Sequence, residues 1–482
     1  MSVSTKTRPL KRTPDAAARQ PAAPPPGFDW PLAQEAENLL RRRLATFLEH
    51  NAFARTLAGR MRQESGTDLF EWIDHLILPS EEEDQWLAAG FVEDPMAETP
   101  NNDKVLEHPV ATLPRLRLQR SARISPETVA LRPEYVADFM ARHNLAAEPD
   151  GEPCARYRRV VVAQENGTLL EAVERRAYRG FEFAPVKPGE LKAVVKAREL
   201  CRARPRRFAE DAAGFEAADR VLGRVTELVG RDLACQFFFE AEREYWESRN
   251  RAARIQKHRQ DRLGLGWGNH DHHTFRCSRA HFTRVIDLLV KLGFQKRERY
   301  YAGAEAGWGA QICEQPVVGI VVFADVDLMP EETQIDFSVQ KLPAAPRLGT
   351  VGLWVDLHGE SLLEAGMHHL EARFEFDELR NQLQTCGIEM MKPFSDFAFL
   401  RQAFTEGERW PVPTKRAQRL LDRGFITQAQ FEQFTTQGAI GSHLENLQRH
   451  GGFKGFNQKS VSAVIADTDP RNNRFGPGAG SA

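Results

Sequence analysis

Two histidine pairs, distant in the chain, carry the residue types best suited to chemistry. One is His272-His273, within Asn269-His270-Asp271-His272-His273-Thr274-Phe275-Arg276; the other is His368-His369, within Met367-His368-His369-Leu370-Glu371-Ala372-Arg373. Alternate residues of a strand share a face, so His272, Thr274 and Arg276 point together, as do His369, Glu371 and Arg373. Each arginine thus shares a face with a candidate metal ligand. Glu445, in the stretch Gly441 to Leu447, would complete a set of two histidines and one carboxylate. On Fe(II) such a set leaves positions open for a chelating substrate and O2. Two neutral imidazoles and one carboxylate also leave a divalent ion net positive, which favours an anionic chelator such as a 2-oxo acid. Arg276 and Arg373 could fork onto a carboxylate and fix its register.

Each pair leaves the ligand open by one residue. If His272 and His369 ligate, His273 and His368 face the other side and serve the core. His270 has the parity of His272 and is either a supporting residue or a turn residue. Glu371 is the alternative carboxylate, but a ligand two residues from His369 on one strand has poorer geometry than one from another strand. A histidine in an apolar strand is more often a satisfied core residue than a ligand, and for either arginine the plain alternative is a salt bridge with a core carboxylate; the repeat of the pattern weighs for the metal. Cys277 and Cys313 read as small apolar fillers, and Trp308 and Phe453 to Phe456 as core or lid packing. Gln311 is a possible polar contact. Asp325 and Asp327 alternate on a strand and read as its end before a helix start at Met329-Pro330.

Two αβ repeats must position these residues. The first, residues 263–347, runs from the His270 strand through a helix at His281 to Leu292 to strands at Gly309–Cys313 and Val317–Phe323. The second, residues 348–466, runs from a strand at Thr350–Val355 through the His368/His369 strand and a helix at Glu375–Cys386. An excursion from Lys392 to Thr436 precedes the Glu445 segment, which follows a Gly-Ser turn. Both read as βαβββ-like metal-binding repeats, and two of them can fold face to face into a cupped sheet. Upstream, residues 28–124 read as helical, with faces at Leu40, Leu44, Phe47 and Leu48 and at Leu69, Trp72, Ile73 and Leu76, a capping box at Ser80/Glu83 and a stop at Gly90. Residues 125–187 read as a small α+β unit with a hairpin across Glu165-Asn166-Gly167. Residues 188–262 read as helices, the last long and charged from Phe237 to Arg262. Residues 1–27 read as a disordered tail and residues 467–482 as a flexible one.

The chain has 482 residues, with Lys+Arg 65 against Asp+Glu 67 and a net charge of −2. That balance gives no electrostatic reason to expect nucleic acid or an anionic membrane as partner. No apolar run reaches the roughly 18 residues of a membrane span, and six scattered cysteines without a Cys-x-x-Cys pair suit a reducing compartment, so a cytoplasmic protein is expected. Gly264-Leu265-Gly266-Trp267-Gly268 lacks the Lys-Ser/Thr of a phosphate-binding loop and is read as a turn beneath the metal strand. No Gly-x-Ser-x-Gly marks a serine nucleophile.

The segment 264–470 resembles the 2-oxoadipate dioxygenase/decarboxylase (hydroxyglutarate synthase) family of the vicinal-oxygen-chelate superfamily. The resemblance rests on His272 with Arg276, the run Leu292-Gly293-Phe294-Gln295-Lys296-Arg297-Glu298, His369 with Arg373, and Glu445 ahead of Gly451-Gly452-Phe453-Lys454-Gly455-Phe456-Asn457. That last stretch is also similar to the carboxyl tail of 4-hydroxyphenylpyruvate dioxygenase. The resemblance implies an α+β fold with vicinal-oxygen-chelate-type paired repeats, His272, His369 and Glu445 as ligands of Fe(II), and Arg276 or Arg373 on the substrate carboxylate. It also implies an O2-driven decarboxylation of a 2-oxo acid with hydroxylation of what remains. A glyoxalase-type isomerase or lyase using Zn, Ni or Mn in the same cup, and a degenerate, non-catalytic binding module, are the alternative readings.

Overall fold

The computed structural model describes residues 30–100, 103–120, 126–458, 460 and 469–471. The tails expected at 1–27 and 467–482 lie outside the described residues, apart from 469–471. The described chain opens on helices α1 (Gln34–His50) and α2 (Ala52–Ser65), and α1 buries Leu40, Leu44 and Phe47 along one face. The second helical face expected at Leu69 to Leu76 is instead a single turn at Leu69–Trp72 followed by strand β1 (Ile73–Pro79). Short apolar runs fit either period, and here pairing with remote strands decides. The Ser80/Glu83 capping box does not form either: α3 (Glu83–Ala88) starts after Glu82 without a side-chain cap.

Strands β2 (Val92–Glu93), β3 (Lys104–Glu107) and β4 (Arg115–Gln119) follow, then β5 (Glu127–Leu131), α4 (Val136–His143), β6 (Tyr157–Glu165) and β7 (Thr168–Arg175). All seven strands make one mixed sheet in the order β2-β3-β4-β1-β5-β7-β6. The boundary expected near residue 124 therefore falls inside a sheet, since the helices α1 to α3 of this region are joined by strands β1 to β4. The β6–β7 hairpin turns where predicted, with positive φ at both Asn166 and Gly167.

Helices α5 (Glu190–Arg202), α6 (Asp211–Val229), α7 (Arg231–Ser248) and α8 (Arg251–Asp261) come next. The long helix expected from Phe237 to Arg262 is broken at Asn250, whose side chain accepts from Ala253 N and starts α8.

The carboxyl-terminal part holds β8 (His270–Cys277), α9 (Phe282–Lys291), β9 (Gln295–Tyr301), β10 (Trp308–Gln315) and β11 (Ile320–Asp327), then α10 (Thr350–His358), β12 (His369–Arg373), α11 (Phe376–Thr385), β13 (Ser395–Phe397), β14 (Leu400–Phe404), β15 (Glu408–Trp410), α12 (Thr414–Asp422), α13 (Gln428–Gln437) and β16 (Ala439–Arg449). The main path of this sheet runs β13-β14-β16-β12-β8-β11-β10-β9, with β15 alongside β16. It contains two βαβββ units, β8-α9-β9-β10-β11 and β12-α11-β13-β14-β16, that abut through antiparallel β12 and β8.

Two expectations within these units change. Thr350–Val355 is helix, not strand: the Asp327 carboxylate accepts from the N–H groups of Gly349 (2.7 Å) and Val351 (3.1 Å) and starts α10. The segment reads as a strand because α10 is apolar on every side, packed between the sheet and α12. Glu445 lies in the middle of the eleven-residue β16, not after a turn at Gly441-Ser442. The sheet's outer face carries the main apolar core, with Phe239 of α7 set edge-on against His273 and Phe275. Its inner face is the cup.

Candidate metal site

Strand register explains which side chains meet in the cup. On β8, Thr274 lies opposite His369 of β12 and Phe323 of β11, and Arg276 lies beside Asp325 of β11. β12 and β16 run parallel with Glu371 beside Glu445. Between Leu370 and Ala372 the β8–β12 ladder slips: Asp271 and His272 together oppose Glu371. Such a bulge turns two consecutive residues toward one side. Asp271 accordingly reaches Arg449 at the cup, while His270 turns back toward His273, ring to ring at 5.3 Å. Simple alternation thus misplaces His270 and leaves Asp271 unnoticed.

The structure brings His272, His369 and Glu445 together, all three buried, with their ligand atoms within 4.8 Å of one another. Glu445 Oε2 lies 3.0 Å from His369 Nε2 and 3.6 Å from His272 Nε2. Ligand atoms about 2.1 Å from one ion at right angles lie about 3 Å apart, so this donor set fits a divalent metal on one face of its coordination sphere. The far nitrogen of each imidazole is held by a neighbour. His272 Nδ1 is 2.8 Å from Glu371 Oε1, and His369 Nδ1 is 2.8 Å from His368 Nδ1. Glu371 is thus engaged with His272 Nδ1, and Glu445 is the carboxylate that faces both Nε2 atoms. Thr274 Oγ1 is 2.8 Å from His369 Nε2, and Gln402 Nε2 donates to Glu371 (2.8 Å) and Glu445 (3.3 Å).

The electrostatics suit a cation. Burial and the neighbouring Glu371 carboxylate push the Glu445 carboxyl well above its usual range. Burial, with His272, His443 and Arg276 nearby, keeps His369 neutral with a lone pair to give.

Arg276 is 1% exposed, and among the described residues its guanidinium makes no hydrogen bond or ion pair. Burial lowers it to about 10, and burial raises its neighbour Asp325 to about 7 against the pull of Arg276 and His272. Both face a cavity of about 50 Å³ that the three candidate ligands share with Trp308, Phe323, Phe394, Phe404 and Phe456. Arg373 is placed differently. It bonds Glu71 of the amino-terminal unit at 3.4 Å and the Asn269 carbonyl, in the wall of a second cavity of about 440 Å³ between the two sheets. The two cavities meet at His272, Phe323, Gln402 and Phe456.

Other candidates resolve simply. Gln311 spends its amide on the Glu298 and Ile312 carbonyls and makes no site contact. Cys277 and Cys313 are buried with raised thiols, Cys313 to about 12, and all six cysteines are unpaired. Asp327 serves α10, as described, whereas Asp325 faces the cavity. Strand parity already reaches Thr274, whereas the placing of Asp325 and Gln402 at the cup follows only from register.

Two βαβββ units abutting through their first strands around one cup are the vicinal-oxygen-chelate type of α+β fold. No family model matches the sequence, and no curated protein matches it. Among solved structures, a mutant 4-hydroxymandelate synthase from Streptomyces coelicolor is similar at 13% identity and TM-score 0.27, over 83% of this chain and 98% of that one. Methylmalonyl-CoA epimerase from Mycobacterium tuberculosis is similar at 13% identity and TM-score 0.22, over 38% of this chain and 88% of that one. A xylose isomerase-like TIM barrel/4-hydroxyphenylpyruvate dioxygenase fusion protein is similar at 10% identity and TM-score 0.21, over 83% of this chain and 52% of that one. Likeness at this level assigns no activity, and the strand order carries the fold. No helix among the described residues is long and apolar enough to cross a membrane.

Proposed function

We propose that the protein is a non-heme Fe(II) dioxygenase that decarboxylates a 2-oxo acid and hydroxylates the remainder of the same substrate. The observation that supports this reading is the convergence of His272 Nε2, His369 Nε2 and Glu445 Oε2 at one face of the cup. Bound there, Fe(II) would supply the redox chemistry toward O2 that no side chain of the site can provide. The protein's part is positional. Arg276 offers a fork of donors, without a hydrogen-bond or ion-pair partner among the described residues, to the carboxylate of the 2-oxo acid. Glu371 and His368 fix the ring planes of His272 and His369, and Gln402 holds both carboxyl groups. Phe323, Phe394, Phe404 and Phe456 keep water from the reacting atoms.

The test is O2 uptake and CO2 release by protein loaded anaerobically with Fe(II), offered 2-oxo acids of varied length and terminal charge. Coupled uptake and release with one acid is expected, with His272→Ala and His369→Ala each losing stoichiometric iron. Turnover of a substrate without O2 would favour isomerase chemistry at the same site, and folded variants that keep their iron would remove those histidines from the ligand set.

A further inference from the structure

We propose that Arg132, Arg175, Arg243 and Arg373 form a subsite for a tetrahedral oxyanion, the phosphoryl group of a phosphorylated substrate, at the seam between the two sheets. The 440 Å³ cavity adjoins a smaller one of about 100 Å³, and Arg132, Arg175, Arg373 and His270 line both. Arg243 lines the inner one. These cations come from elements remote in sequence. Arg132 follows β5 and Arg175 ends β7, Arg243 lies on α7, and Arg373 ends β12.

Their compensation is incomplete. Asp74 binds Arg175 Nε at 2.9 Å, Glu71 binds Arg373 at 3.4 Å, and Glu134 stands 3.8 Å from Arg243. Arg132 has no ion pair or side-chain hydrogen bond among the described residues, and burial together with Arg175, Arg373 and Arg243 opposes its charge against the pull of Asp74. Arg175 Nη2, Arg243 Nε and His270 Nδ1 are buried polar atoms without a hydrogen-bond partner among the described residues. Arg175 itself is 6% exposed. Leaving a buried donor without an acceptor is costly, so several gathered at one cavity call for an acceptor that supplies several oxygens.

The chemistry of that acceptor follows from the directions of approach. A carboxylate has two oxygens in one plane and is satisfied by one guanidinium fork. A phosphoryl group presents three oxygens to three sides and suits arginines arriving from both sheets and a helix. Because this cavity opens onto the one beside His272, a phosphoryl group held here would be the tail of a substrate whose other end reaches the metal site. That last step rests on the proposed dioxygenase reading, whereas the binding of the oxyanion does not.

Calorimetric titration of the full chain with inorganic phosphate, and separately with glutarate as a dicarboxylate probe, tests the subsite. Phosphate is expected to bind more tightly than glutarate. Its dissociation constant should rise at least ten-fold in Arg132→Gln and less in Arg132→Lys, with both variants shown to be folded by circular dichroism. In His272→Ala phosphate binding should be unchanged even where iron is lost, which separates this subsite from the metal site. Absence of phosphate binding, equal binding by Arg132→Gln, or tighter binding of glutarate would each overturn the proposal.

Discussion

At the residue scale, Arg276 distinguishes the site from an ordinary core. A guanidinium 1% exposed, without a hydrogen bond or ion pair among the described residues, is costly to keep unless a ligand completes it. Arg276→Lys keeps the charge but loses the planar fork, and the loss of a charge-assisted pair of about 1.5–3 kcal/mol corresponds to roughly a ten- to hundred-fold weaker substrate response. Steady-state kinetics on the 2-oxo acid found by O2 uptake should therefore show a KM raised at least ten-fold with iron content unchanged. An unaltered KM would assign Arg276 to the core. Parity in the sequence reaches Arg276 correctly because β8 is regular from His272 to Arg276. It fails one step upstream, where the bulge turns Asp271 inward and His270 away.

At the element scale, the break between α7 and α8 shows a local rule overriding a run of helix-forming residues. Asn250 caps α8 through Ala253 N and also donates to Ser442 Oγ of β16 at 2.7 Å. Asn250→Ala removes both, and about 1–2 kcal/mol should be lost in urea unfolding with the slope unchanged. A loss under about 0.3 kcal/mol would mean that the cap contributes nothing. The same signal was readable in Asn250 itself, yet charge and periodicity on either side masked it. The helix α10 is the opposite case, since its start depends on Asp327, more than twenty residues earlier.

At the scale of the whole molecule, the amino-terminal unit is tied to the end of β16. Ala33 N donates to the Gly451 carbonyl and Thr112 N to that of Gly452, while the Glu37 carboxylate accepts from Gly452 N at 2.8 Å and lies 3.6 Å from His450 Nδ1. Burial alone would raise Glu37, but the nearby His450 and the hydrogen bonds from Arg41 and Gly452 N hold it at about 2, and Glu37 raises His450 in turn. The depressed Glu37 stabilises the fold above its ordinary value near 4.5, and this contribution is lost as pH falls toward 2. The raised His450 stabilises the fold below about 6.5, and its contribution is lost as pH rises through its folded value. The difference in melting temperature between wild type and Glu37→Gln should thus be largest from about pH 4.5 to 6.5 and shrink on both sides. A pH-independent difference would show that the tie is not electrostatic.

The sequence by itself determined the local parts: the two histidine strands and the side of each that carries His272 and His369, the amphipathic α1 and α9, and the Asn166-Gly167 hairpin. These depend on residues a few positions apart, where period and turn chemistry act directly. Tertiary structure alone decided that Glu371 steadies His272 while Glu445 faces both imidazoles, because that follows from the parallel register of β12 and β16. It alone also decided that strands from residues 73–175 form a second sheet whose arginines close the cavity beside the site. Pairings of that kind are fixed by hydrogen-bond registers and burial between segments far apart in the chain, and no local period records them.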